Sequence, residues 1–196
     1  MPSRRVVAVL LAATALISLS ACTAGSPDDS TPAVTTEQAD ISGEWVVTRT
    51  VATSNDLSNP AHVVGAVSVR YVLIDRDSCK TALCAGTVSS GAALEGREET
   101  ELSQTDGGLG YAFSGSLDCM NATTGGVLVV DGFEFAQTAT LTVGESADVD
   151  GTPTASTLTG TIEYTDTVTA AALEAGCTRD PAAVTVEYAV AAVRAP

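Results

Sequence analysis

The run Phe133-Glu134-Phe135-Ala136-Gln137-Thr138-Ala139-Thr140-Leu141-Thr142-Val143 decides the fold. Its odd positions carry Phe133, Phe135, Gln137, Ala139, Leu141 and Val143, and its even ones include Glu134, Thr138, Thr140 and Thr142. A period of two puts successive side chains on opposite faces of a strand, and this division makes one face apolar and the other wet. The same alternation recurs in Ser156–Tyr164, where Leu158, Gly160, Ile162 and Tyr164 oppose Thr157, Thr159, Thr161 and Glu163. It recurs again where Val184, Val186, Tyr188 and Val190 alternate with Thr185, Glu187 and Ala189. Threonine is β-branched and polar, which suits an exposed pleat. One wet face marks antiparallel strands.

Working outward, earlier strands read at Gly43–Ala52, Ala66–Asp75, Ala85–Ser90, Gly96–Ser103 and Leu109–Leu117, with a further short one at Gly126–Val130. Turn signals separate them at Ser58-Asn59-Pro60, Thr105-Asp106-Gly107-Gly108, Asn121–Gly126 and Asp150-Gly151-Thr152-Pro153. One short helix is expected at 169–175, with Gly176 as its C-cap. The expected class is all-β: an antiparallel up-and-down barrel of about eight to nine strands, with a β-sandwich as the alternative. Closure favours the barrel because it removes exposed edges.

The first residues, MPSRRVVAVLLAATALISLSAC, join a basic pair, Arg4-Arg5, to an apolar core from Val6 to Ile17. That core falls short of the about 20 apolar residues that span a bilayer and has the size of a signal-peptide core. The following Leu19-Ser20-Ala21-Cys22 resembles the lipobox of bacterial lipoproteins. The resemblance implies a signal peptide over 1–21, cleavage before Cys22, a diacylglyceryl group on its sulfur and an acyl chain (palmitate is typical) on its freed amine. Two chains make a lasting anchor where one binds marginally. Residues 22–40 then form the lipidated N-terminus and a Pro-, Ser-, Thr- and acid-rich tether, and 41–196 a single β-barrel domain. The implied location is the extracytoplasmic face of the cell membrane, reached by the general or the twin-arginine route. The Ala-, Thr- and Val-rich composition resembles exported actinobacterial proteins.

Removing residues 1–21 takes two of the 9 Lys+Arg and none of the 24 Asp+Glu, so the formal charge falls from −15 to −17. Such a body excludes nucleic acid as a partner, since that binding rests on cations that neutralise phosphates. With Cys22 lipidated, four cysteines remain, an even count in an exported chain. Three pairings are possible. The favoured one joins Cys79 to Cys84 across a short loop and Cys119 to Cys177 across a long one. A cysteine metal site is the rival, without C-x-x-C knuckles or a histidine partner.

The first strand opens Ser42-Gly43-Glu44-Trp45. This G-x-W resembles the lipocalin and calycin pattern, in which the Trp plugs one end of the barrel and an Arg from the last strand packs across it. Arg194 shares parity with Val190, Tyr188, Val186 and Val184, so Trp45 and Arg194 are expected to form the barrel-closing pair. The alternative makes Trp45 a large core residue and Arg194 a frayed end.

No enzymatic motif stands out, and no cofactor or metal is expected. His62, the sole histidine, lies beside Pro60 without a G-x-S-x-G elbow, and reads as a solvated loop residue. Asp148–Gly151 and Asp75-Arg76-Asp77 lack EF-hand spacing and read as solvated turns. Glu98, Glu99 and Glu101 read as a strand facing water rather than as glycosidase carboxylates. Tyr111, Phe113, Phe133, Phe135, Tyr164 and Tyr188 fall on inward positions, while small inward residues at Gly115, Ala139 and Gly160 are expected to leave the lumen unfilled. The functional expectation is therefore a membrane-anchored lipoprotein whose barrel holds a small apolar or amphipathic molecule. The alternative is a structural or interaction lipoprotein with a filled core, whose loops meet a protein partner.

Overall fold

In the computed structural model, alternation becomes ten strands, one 3-10 turn and one short helix among the described residues. Residues 39–76, 86–105, 108–121, 123–177, 179 and 181–196 are described. The strands are β1 (Gly43–Ser54), β2 (Val67–Asp75), β3 (Gly86–Gly91), β4 (Glu98–Thr105), β5 (Gly108–Met120), β6 (Val127–Val143), β7 (Ser146–Val149), β8 (Thr152–Ala155), β9 (Thr157–Val168) and β10 (Ala183–Arg194). The helix, α1, spans Ala170–Glu174 between β9 and β10. Thr169 caps it by accepting from the Ala172 N–H, and Gly176 follows at φ +88°.

Eight strands close a barrel in the order β1-β10-β9-β6-β5-β4-β3-β2, each antiparallel to its neighbours. The sheet closes on itself, which decides against the sandwich. The register is staggered. It passes from Trp45 to Val72 and Ser90 on one side. On the other it runs from Gly115 through Phe135 and Asp166 to Val184, beside the far end of β1. Stagger of this kind tilts the strands and widens the lumen. The architecture is compatible with a lipocalin-like fold.

The inward residues include those that alternation selects: Val47 and Val51 on β1, Leu141 on β6, Leu158 and Ile162 on β9, and Val184, Val186, Tyr188, Val190 and Ala192 on β10 are all buried. Two segments depart from expectation. The short strand at Gly126–Val130 is the first part of the 17-residue β6, joined to Phe133–Val143 through Asp131 at φ +53°. The acidic stretch Asp148–Gly151 is a solvated turn as expected, but the short strands β7 and β8 that it links, which form a hairpin outside the barrel ladder, were not expected. Asp150 and Gly151 both have positive φ, +52° and +79°, the geometry a two-residue hairpin turn demands and Asp-Gly supplies.

One end of the barrel is sealed. Trp45 is buried and donates its indole N–H to the Ile41 carbonyl at 2.9 Å. Trp45 pairs with Arg194 across β1–β10, and the guanidinium carbon lies 4.9 Å from the ring centroid. Arg194 also donates to the carbonyls of Ala155 (2.8 Å), Asp40 (2.9 Å) and Ser42. The β7–β8 hairpin presses in beside it, since Ala39 and Ala155 are fully buried and Asp40 bridges to Thr154. Among the described residues, Ala39, two residues ahead of Ile41, is already part of this packing.

A second, small core lies under α1. Cys119 and Cys177 form a disulfide there with a Cα–Cα distance of 6.4 Å, packed with Val168 and Ala172. Cys22, Cys79 and Cys84 lie outside the described residues.

Candidate functional site

The inward face of the open half is polar. On β1, Trp45, Val47, Arg49 and Val51 share one parity, so Arg49 points into the lumen and is 7% exposed. On β2, Ser68 and Arg70 share parity with buried Val72 and Ile74. Gln137 and Tyr164 pair across β6–β9, and Tyr188 sits on β10.

Arg49 is held by neutral partners. Its Nε and Nη2 each donate to Ser68 Oγ at 3.2 Å, and Nη1 donates to Gln137 Oε1 at 3.3 Å. Its guanidinium lies 4.8 Å from the Tyr188 ring centroid, a cation–π contact. Burial, and then the like charge of Arg70, hold Arg49 below the ordinary arginine value. Burial also pushes the Tyr111 hydroxyl up to about 12 against the opposing pull of Arg49.

Two adjoining cavities occupy this region. The inner one, about 250 Å³, is bordered by Arg49, His62, Ser68, Arg70 and Tyr188. The outer one, about 340 Å³, is bordered by Phe113, Leu117, Phe135 and the link between β3 and β4, with Glu98 at its rim. Arg70, Gln137 and Tyr164 line both. The outer volume reaches the lower end of the about 300–1,000 Å³ range of ligand pockets.

The lumen is not opened by its smallest residues, contrary to expectation. A Cβ on Gly160 would lie 1.9 Å from the Thr140 carbonyl oxygen, so β6 backbone already fills that space. Ala139 is fully buried, and a Cβ on Gly115 would meet the Phe135 ring at 2.9 Å. The space comes instead from the spread of polar and aromatic side chains above the packed end.

His62 is not a solvated loop residue. It closes the 3-10 turn Pro60–His62, its side chain is 14% exposed, and its Nδ1 lies 2.8 Å from Asp56 Oδ2. Asp56 is itself 2% exposed and accepts from Ser58 Oγ (2.6 Å) and from the backbone N–H groups of Ser58 and Asn59. Burial works to raise its carboxyl, but these hydrogen bonds outweigh it and hold Asp56 below the ordinary carboxylate value. The His62 ring tilts against Tyr164 at 5.8 Å. No hydroxyl or thiol hydrogen-bonds to His62 among the described residues.

Tyr164 also stacks on Phe135, with centroids 6.4 Å apart, and donates its O–H to Asp166 Oδ2 at 3.1 Å. Burial, and then the Asp166 charge, push its hydroxyl up. Asp166 is paired in turn with Arg179, at 2.7 Å through Oδ2 and 3.0 Å through its carbonyl. Glu98, Glu99 and Glu101 are exposed. Among the described residues no three His, Cys, Asp or Glu side chains are grouped so as to hold a metal.

Sequence reading placed Trp45 and Arg194 at the sealed end and the aromatic residues on the inward face. It missed Arg49 and Arg70. The available signal was a cation at inward parity, between Val47 and Val51 on one strand and two residues before Val72 on the next. Compared with known proteins, the chain matches no protein-family profile, no curated protein and no solved structure.

Proposed function

We propose that the chain is a binding protein, tethered by lipid at the extracytoplasmic face of the membrane, whose barrel holds a small amphipathic molecule. The observation that carries the binding reading is the outer cavity of about 340 Å³, apolar on the side of Phe113, Leu117 and Phe135 and polar at Arg70 and Gln137. Ligand sites combine apolar walls with a few fixed polar groups in this way. The tether rests on Leu19-Ser20-Ala21-Cys22 behind its short apolar core. Native mass spectrometry of the protein extracted from its host membrane tests the binding. The expected spectrum carries a small adduct that is lost on denaturation. An empty barrel that also takes up no fluorescent amphiphile sinks the reading. For the tether, Cys22→Ser abolishes incorporation of labelled palmitate, and unchanged labelling overturns it.

A further inference from the structure

We propose that the inner cavity seats an anion: Arg49 and Arg70 hold the acidic headgroup of the ligand, a carboxylate or a phosphate, while its apolar body lies between Phe113, Phe135 and Tyr164. This rests on the reading of the barrel as a binding protein and specifies the charge of what it binds.

Arg49 and Arg70 both border the inner cavity, and no carboxylate lines it among the described residues. Neither arginine forms an ion pair among those residues. Arg97 pairs with Glu44 at 2.9 Å and Arg179 with Asp166 at 2.7 Å, so acids are within reach of other cations in this acidic chain. Arg49 instead has a hydroxyl, an amide oxygen and a ring as partners, all neutral. Arg70 has no hydrogen bond to any described residue. Arg49 is buried and Arg70 half-buried, and a buried cation beside a second like charge is costly unless an opposite charge joins them. An anion that enters the cavity supplies it and can accept from both guanidiniums, whose planar forks suit carboxylate and phosphate oxygens. His62, at the same cavity, is committed to Asp56 and does not compete for the seat. Glu98, at the rim of the outer cavity, makes no ion pair with Arg70, and its charge disfavours an anion seated the other way round.

The shared cavity wall orders the two parts of the ligand. Arg70, Gln137 and Tyr164 line both compartments, so a headgroup on Arg70 leaves the rest of the molecule against Phe113 and Phe135. The occupant is therefore an anionic amphiphile with a compact, ring-sized or short-chain apolar part.

Two probes with the same rings test the charge: anilinonaphthalene sulfonate, which is anionic, and N-phenylnaphthylamine, which lacks the sulfonate. Both brighten in apolar sites and are titrated into the full chain. The sulfonate probe is expected to bind at least ~10-fold tighter, the effect of about one charge-assisted hydrogen bond. Arg70→Gln should remove that preference, bringing the ratio of the two affinities toward one; Arg70 has no hydrogen bond among the described residues, and a circular-dichroism melt matching the parent verifies the fold. Competition by 1-naphthoate against 1-naphthyl phosphate then tells which headgroup the seat prefers, with neutral 1-naphthamide as the reference. If the neutral probe binds and the sulfonate gains less than ~2-fold, the anion seat is refuted while the binding reading stands. If neither probe binds, the binding reading itself falls. If Arg70→Gln and Arg49→Gln both keep the full preference, the charge lies elsewhere and the assignment to these residues is wrong.

Discussion

The disulfide between Cys119 and Cys177 joins the end of β5 to a position three residues past α1, across a sequence separation of 58. Replacing both cysteines by alanine frees that loop in the unfolded chain. In the chain-entropy account, closing a loop of 58 residues removes about 14 cal/mol/K from the unfolded ensemble, or about 4 kcal/mol at 25 °C. The folded state changes little, because Val168, Ala172, Val129 and Phe133 still pack around the site. Trp45 is the chain's sole tryptophan and is buried, so its fluorescence reports unfolding directly. In urea the double variant should lose about 4 kcal/mol, its m-value should rise as the unfolded chain expands, and its Tm should fall by about 8–16 °C. A loss below about 1 kcal/mol with an unchanged m-value would refute the reasoning. The bond would then constrain nothing that the β5–β6 and β6–β9 ladders do not already constrain.

Three further outcomes follow from the packing. Arg194→Ala removes a cation that serves three backbone carbonyls and the Trp45 ring, and should cost about 3 kcal/mol in urea unfolding and red-shift the Trp45 emission. Gly160→Ala forces a Cβ to within 1.9 Å of the Thr140 carbonyl oxygen, and should cost at least about 2 kcal/mol by the same assay; a neutral result would mean that β6 and β9 separate easily. The folded carboxyl of Asp56 is lowered, so its contribution is fully present above the unfolded value of about 3.9 and is lost as pH falls through the lower folded value. Asp56→Asn should lower stability at pH 7 by about 1–2 kcal/mol, with the gap to the parent closing below pH 4; a gap that stays constant to pH 2 contradicts the hydrogen-bonded carboxylate.

The late strands were legible because their outward positions are threonine and glutamate and their inward ones Val, Leu, Ile and aromatic. β9 is the clearest case: Leu158 and Ile162 are buried, and Thr159 and Glu163 are exposed. The β7–β8 hairpin was hidden because its strands are four residues long and one holds Pro153, so its Asp-Gly tip read as an acidic loop. Gly160 misled for a different reason. A missing side chain looks like space, but in a tilted barrel the neighbouring backbone occupies it. The polar lumen was hardest to foresee. Alternation sorts residues by polarity, and Arg49 belongs to the apolar face by position and to the wet face by chemistry. The His62–Asp56 pair depends on the path of a loop, which no periodicity records.

The bridge between Asp40 and Thr154 fixes how the molecule can be held. The first described residues run beside the last, where Arg194 binds the Asp40 and Ser42 carbonyls and the Ala195 N–H donates to Glu44. In an up-and-down barrel the links that border the cavities, β1–β2 and β3–β4, stand at the other pole. Whatever grips the chain ahead of residue 39 or at its final residue therefore takes it by the foot. A tag, a fused domain or a solid support attached there lies at the pole opposite the β1–β2 and β3–β4 links and leaves the two cavities uncovered.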